Sequence, residues 1–246
     1  MKIVLLVILL VLLVVLIVIP RCDSTFSEPS PKLKILISTC KTYRDKSIPP
    51  LLEQLADSGV PKDSILIVSG GEDVDDSSDP VLKKVRYQFW EYTGLIYVSE
   101  NPENTPVVYL MIHDTVKIKL QFWENIQSKF KDFLSSRQKG ARLLENNGRS
   151  SMSMGFYSQE LIRDHQDFLA SLKDYGTDEN SLKNSKQKGF GLEDHMIKEF
   201  DVIFKGPQVI ITEDTAKCTN EIPELGFTKI QNNCGLGNPL VFTYEV

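Results

Sequence analysis

Residues 34–71 read KILISTCKTYRDKSIPPLLEQLADSGVPKDSILIVSGG, and this stretch decides the fold class. Lys34-Ile35-Leu36-Ile37-Ser38 is an apolar run too short for a helix, opening onto polar residues as a strand buried on both faces does. Residues 48–58 then carry Leu51, Leu52 and Leu55 at helical spacing. Pro49-Pro50 stand at the start of that segment, where a missing N–H is harmless, and Gly59 stops it. Ile65-Leu66-Ile67-Val68-Ser69 repeats the buried run and ends in Gly70-Gly71. Strand, helix and strand in this order make a βαβ unit, which predicts an α/β fold with a mostly parallel central sheet and a right-handed crossover.

Outward from this unit, residues 107–112 form a third strong apolar run, ending at His113-Asp114-Thr115. The pattern predicts helices over 81–92, 121–134, 159–175 and 192–200, shorter strands over 95–99, 151–157, 201–204 and 208–212, and a turn-rich tail. Ligands of open parallel sheets bind at the strand C-termini, so the residues following each apolar run are the candidates for function.

Residues 3–19 are seventeen consecutive Ile, Leu and Val between Lys2 and Pro20-Arg21. As a helix they span ~25 Å, slightly short of a ~30 Å hydrocarbon core, with Lys2 and Arg21 able to reach the interfaces. A cleaved signal peptide is the rival reading. Its apolar core runs ~7–15 residues to a small-residue site, which Pro20-Arg21-Cys22-Asp23 does not supply. The organisation expected is a transmembrane signal anchor over 1–22, a Pro/Ser-rich stalk over 23–32 and one α/β domain over 33–246. Lys2 opposes Arg21, Lys32 and Lys34, so the positive-inside rule does not orient the segment by itself.

Without Lys2 and Arg21 the 28 basic residues fall to 26 against 33 acidic ones, about −7 where the whole chain carries −5. That balance argues against nucleic acid as a partner and against a mainly electrostatic membrane binder. Cys22, Cys40, Cys218 and Cys234 show neither CxxC nor Cys/His metal spacing. In an oxidising compartment Cys218–Cys234 is the pair a bridge would close; free buried thiols fit equally well.

Four constellations carry candidate chemistry. Ser38-Thr39-Cys40-Lys41-Thr42-Tyr43-Arg44 offers hydroxyls, a ring and a guanidinium that could hold a nucleobase and a phosphate, or simply a solvated loop with an N-cap. Gly70-Gly71-Glu72-Asp73-Val74-Asp75-Asp76, with Asp79 behind it, reads as a solvated acidic loop or a cation site; its spacing does not match an EF-hand. His113-Asp114-Thr115 leaves a buried strand with an imidazole and a carboxylate, good ligands for Mn²⁺ or Mg²⁺ and equally a capping pair. Gly191-Leu192-Glu193-Asp194-His195 could supply a general base and a further ligand, or acids suited to a helix N-terminus. Between the last two, Arg137, Lys139, Arg142 and Arg149 with Gly140 and Gly148 read as a lid over phosphates or as a solvated face.

Taken in order, Ile35-Leu36-Ile37-Ser38-Thr39-Cys40, Arg44, Pro50-Leu51-Leu52, Gly59-Val60-Pro61 and Ile67-Val68-Ser69-Gly70-Gly71 resemble the opening of GT-A-type nucleotide-sugar glycosyltransferases. His113-Asp114-Thr115 falls where that family has its Asp-x-Asp metal motif, Ser153-Met154-Gly155-Phe156-Tyr157 resembles its acceptor-facing strand, and Glu193-Asp194 its later acidic pair. The resemblance implies a single GT-A-like (Rossmann-like) domain in which Thr39, Arg44, Gly70 and Gly71 bind a nucleotide-diphosphate sugar. Asp114 and His113 would bind a divalent metal, Mn²⁺ or Mg²⁺. Asp194 or Glu193 would deprotonate a glycan, lipid or protein acceptor. The anchor and stalk resemble the family's type II layout, a single-pass membrane protein with its domain in the secretory-pathway lumen or outside the cytoplasm. The motif here has one carboxylate where two are usual. Two further readings therefore stand: a catalytically degenerate binding or assembly protein on this fold, and an anchored α/β phosphotransferase or hydrolase using the acidic loop.

Overall fold

The computed structural model describes residues 30–73, 79–143, 154–174, 192, 195–203, 209–214 and 217–232. All but Ser30 belong to one unit, Pro31–Val246. Among the described residues no helix is long and apolar enough to cross a membrane, and the apolar run 3–19 lies outside them.

In chain order the first half comprises β1 (Lys32–Cys40), α1 (Lys41–Asp57), β2 (Ile65–Gly70), β3 (Leu82–Lys84), α2 (Tyr92–Glu100), β4 (Val107–His113) and β5 (Val116–Ile118). It continues through α3 (Phe122–Ser136), β6 (Gly140–Arg142), β7 (Gly155–Ser158), α4 (Gln159–Asp164), α5 (Gln166–Ser171), β8 (Val209–Asp214), β9 (Lys217–Ile222) and β10 (Phe227–Asn232). The main sheet has the order β3-β2-β1-β4-β7-β6. Its first four strands are mutually parallel, and β7 and β6 are antiparallel to their neighbours. This is a mixed α/β, Rossmann-like sheet, mostly parallel.

The two-residue period of a strand splits each apolar run between the two faces. Ile35, Ile37, Val108, Leu110 and Ile112 face Ile48, Leu51 and Leu55 of α1 and Phe122, Ile126 and Phe133 of α3. Leu36, Val107, Tyr109 and Met111 face Leu95, Ile96 and Val98 of α2 and Leu161 and Ile162 of α4. Both faces are covered, which is why these strands read as unbroken apolar runs.

Several expectations are corrected. The helix placed over 48–58 begins at Lys41 and runs through Pro49 and Pro50. Those prolines deprive the carbonyls of Asp45 and Lys46 of helical donors, but both residues are exposed and water can serve them. Residues 81–91 form no helix, and residues 95–99 form no strand. Leu82–Lys84 is claimed by the sheet edge instead, pairing with Ile67–Ser69, while Tyr92–Glu100 is helical. The segment expected as one helix over 159–175 divides at His165, and residues 195–199 form turns. The tail is not merely turns. β5, β10, β9 and β8 form a second, antiparallel sheet in that order, and Val116, Ile118, Ile222 and Phe227 from it join the α1–α3 core.

Candidate functional site

The chain runs from β1 outward through β2 to β3, then returns to place β4 on the other side of β1. The C-terminal ends of β1 and β4 thus flank the topological switch point, where sheets of this kind bind ligands. Register sets the details: Ser38 is paired with His113, so the next residues, Thr39 and Asp114, emerge side by side. Thr39 Oγ1 donates to Asp114 Oδ2 at 2.7 Å. Ser47, on the second turn of α1, brings its Oγ within 3.0 Å of the same oxygen and 3.1 Å of the Tyr43 carbonyl, sharing one proton between them.

A cleft of about 70 Å³ opens here, with the ends of β1 (Ser38, Thr39, Cys40) and β4 (His113, Asp114) as its floor. Tyr43 forms one wall; Gln88, Trp90 and Glu91, just before α2, form the other. Gly94 holds that second wall in place. A Cβ there would lie 2.8 Å from Ser38 Oγ and 3.0 Å from Leu36 Cδ1, so only glycine lets α2 lie this close to β1. The Ser38 hydroxyl donates to the Glu91 carbonyl at 2.7 Å and accepts from the Gly94 amide at 2.9 Å, pinning the loop to the strand.

Burial pushes the Cys40 thiol above its ordinary value, and the nearby Asp114 carboxylate adds to this, so at neutral pH it is a protonated thiol and no nucleophile. Burial likewise raises the Tyr43 phenol, which remains a hydroxyl. A larger groove of about 390 Å³ beside Gln54, Asp57 and Leu120 lies at the other end of α1, ~20 Å along the helix from Tyr43. Asp57 and Lys119 are its two ionisable side chains, and they do not make a convergent reacting set.

The expected site residues fall into separate places. Thr39, His113 and Asp114 converge on the cleft. Arg44 turns toward the end of β2, its Nη1 meeting both carboxylate oxygens of Glu72 and its Nε donating to Asp45 Oδ1 at 2.9 Å. Gly70 and Gly71 make room for the cleft wall. A Cβ on Gly70 would lie 2.8 Å from the Tyr87 carbonyl, and one on Gly71 (φ +71°) would lie 2.7 Å from Gln88 Oε1. Glu193 and Asp194 lie outside the described residues, but the flanking chain is anchored. Tyr92 Oη donates to the Leu192 carbonyl at 2.5 Å, and the His195 ring sits 4.3 Å from that of Phe168.

Several of the other sequence candidates bond to protein groups. In the acidic loop, Glu72 is held by Arg44 and by the Ser69 hydroxyl, and Asp79 accepts from the Val81 amide at 2.9 Å; Asp75 and Asp76 lie outside the described residues. In the basic stretch, Lys139 bonds Asp164 and Glu160, Arg142 donates to the Phe200 carbonyl, and Arg137 closes α3 in a left-handed conformation. Arg149 lies outside the described residues. Phe156 and Tyr157 of β7 are fully buried, so they serve the core. Cys218 lies on β9, while Cys22 and Cys234 lie outside the described residues.

Sequence reasoning missed Ser47, Gln88, Trp90 and Glu91. Recognising that α1 starts directly after β1 would have placed Ser47 one turn beyond Tyr43. Recognising α2 would have placed residues 88–91 at the ligand edge.

No protein-family model matches the chain, and no curated protein matches it. Among solved structures it is similar to a crystal structure of S. aureus TarS at 15% identity and a TM-score of 0.36, over 55% of this chain and 29% of that one. It is similar also to a crystal structure of S. aureus TarS 1-349 at 11% identity and a TM-score of 0.36, over 60% of this chain and 53% of that one. The chain therefore spans less than two thirds of either protein.

Proposed function

We propose that this chain is a GT-A-type glycosyltransferase that moves a sugar from a nucleotide-diphosphate donor to a glycan, lipid or protein acceptor. The observation that carries the reading is the Thr39–Asp114 hydrogen bond at the switch point between β1 and β4, where the resemblance puts the donor. The mostly parallel sheet and the residue order over 34–71 support it. In this reading the apolar run 3–19 anchors the protein in a membrane as a single-pass, type II protein, with its domain in the secretory-pathway lumen or outside the cytoplasm.

Asp194 or Glu193 takes the proton of an acceptor hydroxyl. The resulting oxygen attacks the anomeric carbon, the bond from that carbon to the phosphate oxygen breaks, and the nucleotide diphosphate leaves with the electron pair. Attack from the opposite face inverts the anomeric configuration. The Tyr92–Leu192 bond supports this assignment, because it ties the chain just before Glu193 to α2, one residue from the cleft wall at Glu91.

The resemblance also implies a divalent metal at Asp114 and His113. Among the described residues the donor set for one is incomplete. Asp114 Oδ2 is already an acceptor for Thr39 and Ser47, and among the described residues no group of three or more His, Cys, Asp or Glu is arranged to hold an ion. No step is therefore routed through a metal.

Incubation of the full chain with a panel of nucleotide-diphosphate sugars and neutral acceptors, read by release of the nucleotide diphosphate, tests the reading. Release that is lost in Asp194→Asn or Glu193→Gln is the expected result. The engagement of Arg44 by Glu72 and Asp45 favours a second reading, a binding protein on this fold, which predicts nucleotide binding without release.

A further inference from the structure

We propose that Gln88 is the specificity-determining residue of the cleft, its side-chain carboxamide pairing with an amide edge of the ligand, an N–H beside a C=O. The proposal rests on the glycosyltransferase reading and deepens it, because it names the group on the nucleotide sugar that the cleft selects.

The first observation is burial without matching partners. Gln88 is 7% exposed and stands in the cleft wall. A carboxamide has two N–H donors and a carbonyl oxygen with two lone pairs. Among the described residues the one polar contact of this amide is with the Cys40 thiol, a weak partner that leaves most of that capacity unused. The hydroxyls beside it are matched: Ser38 lies between the Glu91 carbonyl and the Gly94 amide, and Thr39 donates to Asp114. A buried amide matched so poorly by the protein destabilises the fold, and an apolar side chain of the same shape would not. A partner that arrives with the ligand accounts for it.

The second observation is that the backbone holds this side chain in place. A Cβ on Gly71 would lie 2.7 Å from Gln88 Oε1 and one on Gly70 3.1 Å from Gln88 Cβ, so the two glycines after β2 make the seat of the amide. The Gly71 amide donates to the Tyr87 carbonyl at 3.3 Å, and the Phe89 amide donates to Thr93 Oγ1 at 3.0 Å, fixing the chain on both sides of Gln88. A group fixed before binding loses little freedom when the ligand arrives. The cleft of about 70 Å³ is a fraction of the ~300–1,000 Å³ of a whole ligand pocket, so it takes one group of the ligand. An amide edge returns an acceptor and a donor to the carboxamide in one plane, which neither a phosphate nor a lone hydroxyl does. Two parts of a nucleotide-diphosphate sugar can present such an edge, the imide of a uracil base and an acetamido substituent on the sugar.

The test is calorimetric titration of the full chain and of Gln88→Met, which keeps the length of the side chain without its amide, against two pairs of ligands. UDP-N-acetylglucosamine beside UDP-glucose reads the acetamido group, and UDP beside N3-methyl-UDP reads the imide. The expected result is a preference on the order of tenfold within one pair, falling below about twofold in Gln88→Met. The pair that responds identifies the source of the edge. Gln88→Glu, which keeps an acceptor and removes the donors, should lose the preference as well. The thermal midpoint of Gln88→Met should hold or rise by about 2–4 °C, which an amide satisfied within the fold would not allow. The proposal is overturned if the unsubstituted chain distinguishes neither pair, or if Gln88→Met leaves both ratios where they were. It is also overturned if Gln88→Met lowers the midpoint by more than about 2 °C. Each of these results leaves the glycosyltransferase reading standing, whereas binding of none of the four ligands removes both.

Discussion

Arg44 and Glu72 form an ion pair in which a single guanidinium nitrogen meets both carboxylate oxygens, fastening the first turns of α1 to the turn after β2. The Glu72 side chain is 8% exposed and that of Arg44 19%, and Ser69 donates a further bond to the same carboxylate. Breaking such a pair costs most when the stranded charge is the buried one. Arg44→Ala strands Glu72 and should cost about 3 kcal/mol or more. Glu72→Gln leaves Arg44 with Asp45 at 2.9 Å and should cost clearly less. Urea midpoints of the two variants check the asymmetry, which equal losses would refute.

Gly94 sets the distance between α2 and β1, and two effects oppose each other when it is replaced. Alanine gains ~1 kcal/mol of helix propensity. Its Cβ, however, would stand 2.8 Å from Ser38 Oγ, a hydroxyl fixed between the Glu91 carbonyl and the Gly94 amide, and overpacking of this kind costs ~1–3 kcal/mol. The second effect wins, because neither contact can relax without moving the wall of the cleft. Gly94→Ala should lower the unfolding free energy by about 1 kcal/mol and weaken ligand binding at the cleft. A raised denaturation midpoint would show that α2 shifts freely.

The strands β1, β2 and β4 were legible because each is buried on both faces, so its apolar run is continuous and its polar successor marks the ligand edge. Thr39 and Asp114 follow two such runs, and both stand at that edge. The identities of β3 and α2 were not legible. Leu82-Lys83-Lys84 is a three-residue edge strand whose state is decided by pairing with Ile67–Ser69, a non-local contact. Leu95-Ile96-Tyr97-Val98 is rich in strand-favouring residues, yet it is helical because Leu95, Ile96 and Val98 together cover one face of the sheet. Ser47 stayed hidden for another reason: its role depends on α1 continuing through Pro49-Pro50, against local propensity, under tertiary anchors at Asp114 and Glu72.

Cys40 makes the fold's stability sensitive to alkaline pH. Burial, first, and the Asp114 carboxylate, in addition, raise the thiol in the folded protein above its ordinary value of 9.0. The unfolded chain therefore loses this proton first as pH rises. The contribution of Cys40 is fully present below 9.0 and is lost as pH climbs through the folded value. Cys40→Ala should flatten that alkaline decline, measured as unfolding free energy against pH. An unchanged slope would mean the thiol is not desolvated in solution.

Tyr92 ties the cleft wall to the chain at Leu192. Its hydroxyl donates to the Leu192 carbonyl at 2.5 Å, and its ring meets Phe168 edge-on at 5.6 Å, which in turn packs against His195 at 4.3 Å. Tyr92→Phe keeps the ring contacts and removes the hydrogen bond, a loss of about 1 kcal/mol in global stability. Under the glycosyltransferase reading the two kinetic parameters should part. Donor affinity should hold, because the cleft residues Thr39, Trp90 and Asp114 are untouched, while transfer slows because the chain that carries Glu193 and Asp194 is held less firmly. Equilibrium titration of the donor beside single-turnover transfer measures the two separately. A variant that weakens donor binding and leaves transfer unchanged would place the importance of Tyr92 in the cleft wall, and would detach the acidic pair from the site.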